Sequence, residues 1–446
     1  MTFVRATSPS PDGRRRRLTA SLFAVALVVA SCGSANPSAT QAPSSTAAWS
    51  STATSSASAS SSPASSAELG AVYETINQQV RAIRGLDEKE HVVPTILSRD
   101  DLAKLLAQQV AQETPTATVE AYDRLYHALG VLAKDAKLSD VYGDLLASQV
   151  AGLYVPKDKK LYVLSKAGGV GPLEKVYYSH EYTHALQDQN FDLVNFQPDS
   201  LADQSDEQLA RQALVEGDAY VTMTYWLRQH LSASDMAAVV AAGNDPAAQQ
   251  ALTKIPPLVA SQILFAALNG TVWALGLQIQ GGFPAIDKAF ANPPQSTEQV
   301  LHPEKWASHE APIAVKLPAD LPAKVGSGWS FGLQDTFGEH QLGVWITAAV
   351  PNPGLPEPPP ASVVGWGGDR MALLDGPAGK WAVVFRTEWD TDADAAEFET
   401  AVGPRVATAT GPGRVLPGEG GRVRWIVIGS DDATLGRVSN VLGLAG

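Results

Sequence analysis

His180 and His184 stand four residues apart in YYSHEYTHALQDQ (177–189), with Glu181 directly after the first. On an α-helix, residues i and i+4 lie one turn apart on the same face, so both imidazoles can reach one metal ion. The glutamate then falls where it can take a proton from water that the metal acidifies. The residues between and beside the pair, Ser179, Tyr182, Thr183 and Ala185, are uncharged, and Leu186 continues an apolar face. A helix that buries zinc needs that neutrality, because an unpaired buried charge is costly. The plainer reading is an ordinary helix that contains two histidines.

A catalytic zinc takes three protein ligands and keeps one position open. The metzincin pattern needs a glycine at 187 and a histidine at 190; Gln187 and Asn190 stand there instead. The gluzincin pattern takes a glutamate from a second helix some tens of residues on, and Glu216 in ALVEGDAY (213–220) meets it. Ala213 and Tyr220 share its helix face, and Gly217 beside it lets the helices of His184 and Glu216 approach closely. Asp188, Asp192, Asp203, Asp206 and Glu207 compete for the role, and a solvated helix charge is the bland alternative.

Asp188, one turn after His184, is placed to accept a hydrogen bond from that imidazole, or is a solvated acid near a helix end. His302 in STEQVLHPEKW (296–306) is a candidate donor to a developing oxyanion. Its alternative is a structural histidine on a short helix capped by Ser296 or Thr297 and stopped by Pro303. Tyr182 and Tyr220 are weaker candidates for the same role. The other histidines lack a partner at ligand spacing.

These residues need helices to hold them. Residues 176–189 contain no Pro or Gly and are rich in helix formers, and 206–231 form a second helix that tolerates Gly217. Upstream, Leu69, Val72, Tyr73, Ile76, Val80 and Ile83 follow helical spacing. Ser98 and Asp101 read as the cap of DDLAKLLAQQVAQE, and further helices are expected near 117–134 and 139–150. GLYVPKDKKLYVL (152–164) reads as a β-hairpin around a Pro-Lys-Asp-Lys turn; its edge is one place for an extended peptide to add a strand. Residues 256–282 are apolar over roughly a bilayer's width, yet Gln262, Asn269, Gly270 and Gln278 favour a buried helix.

Beyond residue 326 the pattern becomes a small α+β lobe. A helix near 334–347 is followed by the strand-like runs DRMALLDG, KWAVVFRTEWD and GRVRWIVIGS, with helices at DADAAEFETAV and DATLGRVSNVLGL. GWGGDR lacks the lysine-serine or lysine-threonine ending of a phosphate loop and reads as a tight turn before a strand. Trp366, Trp381 and Trp389 are expected in the core, with a recognition surface as the alternative. The fold class is α+β.

The 446 residues are 45% hydrophobic and 18% charged, enough for a substantial core and for more than one folded unit. The net charge is −13, and it falls to −17 without residues 1–31, which hold five arginines and Asp12. That balance argues against nucleic acid and against adsorption to an anionic membrane by charge. RRRRLTASLFAVALVVASC has the basic start, short apolar run and small residues of an export signal. Val29-Ala30-Ser31-Cys32 resembles the bacterial lipobox, which makes Cys32 the lipidated first residue of the product. A membrane-spanning anchor is the alternative, and the four arginines fit a twin-arginine signal poorly. With one cysteine, no intrachain disulfide can form. Residues 32–67, nearly all Ser, Ala, Thr and Pro after Cys32, read as a flexible tether.

HEYTHALQDQNFDL, ALVEGDA and PPQSTEQVLHPEKW occur in that order, with VAGLYVPKDKKLYV before them and GWGGDR and TEWDTDADAAEF after. Together they resemble a family of bacterial exported or lipid-anchored HExxH metallopeptidases, over about 68–446. The resemblance implies a zincin-like fold and a gluzincin-type zinc (Zn2+) site of His180, His184 and Glu216 with Glu181 catalytic. It implies no substrate. Many gluzincins carry an acid three or four residues after the third ligand; here Ala219 and Tyr220 stand there, and Asp218 is offset to another part of the helix.

The expectation is therefore a signal (1–31), a tether (32–67), a zincin-like domain (68–325) and a C-terminal α+β lobe (326–446). Its function would be that of a lipid-anchored, extracytoplasmic zinc peptidase. The rivals are a non-catalytic envelope lipoprotein that keeps the scaffold for binding, and a zinc amidase acting on a cell-wall bond.

Overall fold

The computed structural model describes residues 66–113, 116–141, 152–164, 170–243, 255–349, 356 and 358–444. The signal segment, Cys32, nearly all of the tether and most of the expected helix 139–150 lie outside the described residues.

The first part is helical around a small sheet. Helix α1 (Ser66–Arg84) begins two residues before the expected domain start at Glu68. Strand β1 (Thr95–Leu97) leads into α2 (Arg99–Glu113), where Ser98 Oγ accepts from the N–H of Asp101 at 3.1 Å and donates to its carboxylate, as an N-cap should. Helix α3 (Thr116–Ala128) follows, shorter than the sequence suggested because the chain turns at Gly130, where φ is +69°. Strands β2 (Gly152–Val155) and β3 (Lys160–Leu164) form the expected hairpin. β1 adds parallel to the far side of β3, giving the order β1-β3-β2 and leaving β2 at an edge.

Helix α4 (Pro172–Phe191) carries the histidine pair. Pro172 at its start has a fixed φ suited to the first turn, and Asp192 ends it in the left-handed region with φ 56°. Every residue from Tyr178 to Asp188 is buried, because α1, the hairpin and α5 (Ser205–His230) surround it.

The apolar run 256–282 is a buried element, as expected. It forms α6 (Pro257–Leu264), one π-helical turn (Phe265–Asn269) and α7 (Gly270–Gly281). By length and composition it could cross a membrane, but 67% of its most apolar window is buried in the protein. α7 lies directly on α5. A Cβ on Gly217 would stand 2.1 Å from the Gly270 carbonyl oxygen, and one on Gly270 2.2 Å from that of Ala213. Gly217 thus permits a close approach, but of α5 to α7 and not of α5 to the histidine helix.

Helices α8 (Phe283–Ala291) and α9 (Thr297–Leu301) then lead to an antiparallel sheet. Its strands are β4 (Ser330–Asp335), β5 (Trp366–Asp375), β6 (Trp381–Trp389), β7 (Gly413–Pro417) and β8 (Val423–Gly429), in the order β4-β5-β6-β8-β7. The segment expected as a helix from 334 is strand to Asp335 and becomes helix α10 only over Gly338–Thr347. GWGGDR holds the expected turn only at Gly365, where φ is +81°; β5 begins at once with Trp366, and a bulge between Trp366 and Gly368 absorbs the next glycines. Helices α11 (Asp392–Ala407) and α12 (Asp432–Val441) stand where the sequence placed them.

Trp366 and Trp389 are fully buried and Trp381 is half-buried against the same core. That core crosses residue 325: Tyr122, Leu125 and Leu258 pack in one cluster with Phe337, Trp345 and Phe385. The architecture is mixed α+β, with the two parts sharing apolar interior.

Candidate metal centre

Helices α4 and α5 bring His180, His184 and Glu216 together as the sole such group among the described residues, their donor atoms all within 4.8 Å of one another. His180 Nε2 and His184 Nε2 are 3.0 Å apart, and Glu216 Oε2 lies 3.3 Å from the first and 3.8 Å from the second. Three ligands of a tetrahedral zinc with bonds of about 2.1 Å stand about 3.4 Å apart, so this triangle has the right size.

The electrostatics fit as well. Burial pulls His180 down to about 3 and His184 to about 4, so both imidazoles are neutral at pH 7. Burial pushes the carboxyls of Glu216 and Glu181 upward, and for Glu181 the neighbouring Glu216 adds to the effect. Two neutral nitrogen donors beside two buried carboxyl groups form a place that a divalent cation would stabilise.

Glu181 is held by the hairpin. Its Oε2 accepts the backbone N–H of Tyr154 at 2.8 Å, while Oε1 is buried without a protein partner. The contact depends on Gly152, where a Cβ would come within 2.9 Å of Glu181 Cγ. Edge strand β2 thereby fixes one carboxylate oxygen and leaves the other free to accept a proton.

The groups behind the ligands differ from those expected. Asp188 does not orient His184; it accepts from the Tyr154 hydroxyl at 2.8 Å and from the N–H of Leu193 at 3.1 Å, tying the end of α4 to the hairpin. His184 Nδ1 meets Gln187 Oε1 at 2.8 Å. The Gln187 amide nitrogen donates to Asp218 Oδ2 at 2.8 Å and to the Val215 carbonyl at 3.0 Å. Asp218 therefore serves the site through an intermediary, and Arg84 Nε lies 2.7 Å from its other oxygen. Gln212 donates to Glu216 Oε1 at 2.9 Å, which leaves Oε2 for the histidines. Gln187 and Gln212 were missed, although each sits one helical turn from its ligand. Arg84 and Tyr154 have no local signal, since they arrive through tertiary packing.

His302 stands apart from this constellation. It caps α9, and its Nε2 pairs with Glu339 at the start of α10 at 3.0 Å. The structural alternative describes it: Ser296 caps α9 by accepting from the N–H of Gln299, and Pro303 opens the next turn. Of the two tyrosines, Tyr220 places its ring 4.6 Å from that of His180, whereas Tyr182 stacks on Tyr178. The competing acids are elsewhere too. Asp206 binds Thr297 through N–H and hydroxyl, Asp203 pairs with Arg370, Asp192 caps the turn after α4, and Glu207 pairs with Arg211.

Residues 330–438 match a family described as a domain of unknown function (DUF8575). The match spans β4 to most of α12 and contains none of the candidate metal ligands. No curated protein and no solved structure matches the chain.

Proposed function

We propose that the protein is a zinc-dependent peptidase with a zincin-like fold and a gluzincin-type site. His180, His184 and Glu216 are the ligands and Glu181 the general base. The observation that carries this reading is the convergence of the three donor atoms from two helices, next to a Glu181 whose Oε1 is buried without a protein partner. The sequence resemblance points to the same class, and the lipobox-like segment ending at Cys32 would hold the enzyme on the outer face of a membrane.

Zinc bound there supplies Lewis-acid chemistry, acidifying water and polarising a carbonyl. The chain's own residues do the rest. Gln187 and Gln212 orient His184 and Glu216, and the Tyr154 N–H pins Oε2 of Glu181. Oε1 takes a proton from the attacking water as its oxygen bonds to the peptide carbonyl carbon. The same carboxyl returns that proton to the leaving amine nitrogen as the C–N bond breaks. Burial raises the Glu181 carboxyl pKa, which makes the carboxylate a stronger base toward the water proton.

One observation favours a second reading. His180, Glu181 and His184 are fully buried and Glu216 is 5% exposed, as expected of a scaffold that holds metal without turnover. Zinc content of the parent and of His184→Ala, followed by hydrolysis of a mixed peptide library, separates the cases. One zinc per chain with cleavage that depends on Glu181 supports the peptidase. One zinc without cleavage supports the scaffold, and no zinc in either chain sinks both.

A further inference from the structure

His184 turns Nε2 to His180 and Nδ1 to Gln187, and the orientation of the Gln187 amide decides which nitrogen carries the ring proton. The amide's far end lies 3.0 Å from the carbonyl oxygen of Val215. A backbone carbonyl has no proton to give, so the NH2 group must face it. Asp218 Oδ2, at 2.8 Å from the same nitrogen, takes the second amide hydrogen. The amide oxygen is then the atom 2.8 Å from His184 Nδ1, and it can only accept. The proton must sit on Nδ1, which leaves the Nε2 lone pair directed at the ligand triangle.

This chain of contacts extends to a helix that provides no ligand. Arg84, at the end of α1, places Nε 2.7 Å from Asp218 Oδ1, and both side chains are fully buried. Its position is fixed on other sides as well. Nη2 lies 2.6 Å from Asp287 on α8, and the guanidinium sits 5.0 Å from the ring centre of Phe283 and 5.9 Å from that of Phe191. A buried ion pair is a costly element to retain for stability alone, since desolvating its charges offsets much of their attraction.

We propose that Gln187, Asp218 and Arg84 are positioning residues that lock His184 in its Nδ1–H tautomer and thereby set the affinity of the site for zinc. The affinity half of this statement rests on the proposed metal site; the tautomer half concerns the metal-free chain and stands independently of it. Groups that orient a metal-bound histidine typically change affinity about 10- to 100-fold when removed.

The test uses full-length protein labelled with 15N-histidine. In the metal-free parent, the His184 ring is expected to show a protonated Nδ1 and an unprotonated Nε2. Gln187→Leu, which removes the amide without altering charge, should give mixed tautomers and zinc binding weaker by roughly 10- to 100-fold. Arg84→Met should weaken zinc by a smaller factor, because Val215 still orients the amide. Thermal unfolding of the metal-free variants separates this from a loss of fold. An Nε2–H tautomer in the parent overturns the proposal without any variant, as does parent-like zinc affinity in Gln187→Leu. A parent with the expected tautomer but no zinc binding overturns the affinity half and the proposed function together, and leaves the lock itself standing.

Discussion

The backbone N–H of Tyr154 lies 2.8 Å from Oε2 of Glu181, so the edge of the small sheet grips the residue proposed as general base. That grip needs the strand to lie close, and Gly152 allows it. Gly152→Ala puts a methyl group 2.9 Å from Glu181 Cγ and forces the carboxylate to shift. A displacement of about 1 Å near the reacting atoms lowers turnover on the order of 100-fold. Zinc content should stay at one per chain, because the ligands lie on other elements. Metal analysis beside a peptide-cleavage assay reads both, and an equal loss of zinc and activity would contradict this division of labour.

Glu181→Gln removes the base but keeps the shape. The amide oxygen can still accept the Tyr154 N–H, and the ligand triangle is untouched. Hydrolysis should fall by at least about 100-fold while zinc is retained. The metal-free variant should also melt higher than the parent near pH 8. Burial raises the Glu181 pKa, so its ionised form opposes folding at that pH, and a neutral amide relieves the penalty. Parent-like cleavage in this variant removes Glu181 from the mechanism.

Glu216 and Asp206 are both buried acids on α5, and their substitutions should fail in different ways. Glu216→Ala takes away a ligand and should abolish tight zinc binding. Asp206→Ala strands the N–H and hydroxyl of Thr297, which Asp206 binds at 3.2 and 2.5 Å. Leaving such groups unsatisfied costs roughly 1–3 kcal/mol of stability each. Asp206→Ala should therefore melt at a lower temperature yet hold its metal. Comparable zinc losses in the two variants would reopen the choice of third ligand.

The grouping of His180, His184 and Glu216 was legible because the histidine pair depends on helix geometry and Glu216 meets the gluzincin spacing. His180 and His184 share a face by spacing alone, and the burial of α4 matches its uncharged surroundings. What lies behind the ligands was not legible, because i+3 and i+4 neighbours compete for a ligand histidine and sequence cannot rank them. Asp188 was the candidate partner of His184, but Tyr154 and Leu193 claim its oxygens at the end of the helix. Strands β1, β4 and β7 escaped for a related reason. They are edge strands of three to six residues, and β1 and β4 pair with strands far away in sequence, so their own residues carry little strand signal. The apolar cluster shared across residue 325 likewise joins segments more than two hundred residues apart, those of Tyr122 and Phe385 among them.

Gly217 shows how a correct reason can be attached to the wrong neighbour. The glycine does permit close helix packing, but toward Gly270 on α7. Gly217→Ala places its methyl 2.1 Å from the Gly270 carbonyl oxygen, a backbone atom that cannot rotate away. Overpacking of this kind costs about 1–3 kcal/mol. The expected result is a lower unfolding midpoint in denaturant together with weaker zinc binding, since the shift moves Glu216 on the adjacent residue. Gly270→Ala, whose methyl meets the Ala213 carbonyl, should lower the midpoint similarly. Unchanged stability in both would mean the helices separate more easily than their contact implies.

His302 and Glu339 supply the pH-dependent prediction. The hydrogen bond that His302 donates to the Glu339 carboxylate raises the His302 pKa above its ordinary value, against an opposing effect of partial burial. A histidine that binds its proton more tightly when folded adds stability fully present below the unfolded pKa near 6.5. That contribution disappears as the pH rises through the raised folded value. Glu339 follows the same sign for another reason. Its burial raises the carboxyl pKa, with His302 partly opposing, so ionisation of the unpaired group works against folding at higher pH. The parent should thus lose thermal stability as the pH rises above the unfolded histidine pKa of about 6.5. His302→Gln, which can still donate to Glu339 but does not titrate, should follow a flatter profile and be less stable than the parent at the acidic end. Melting curves across that range, taken with zinc removed, isolate the pair from the metal site. A parallel profile in the two proteins would show that the His302 proton contributes nothing to folding.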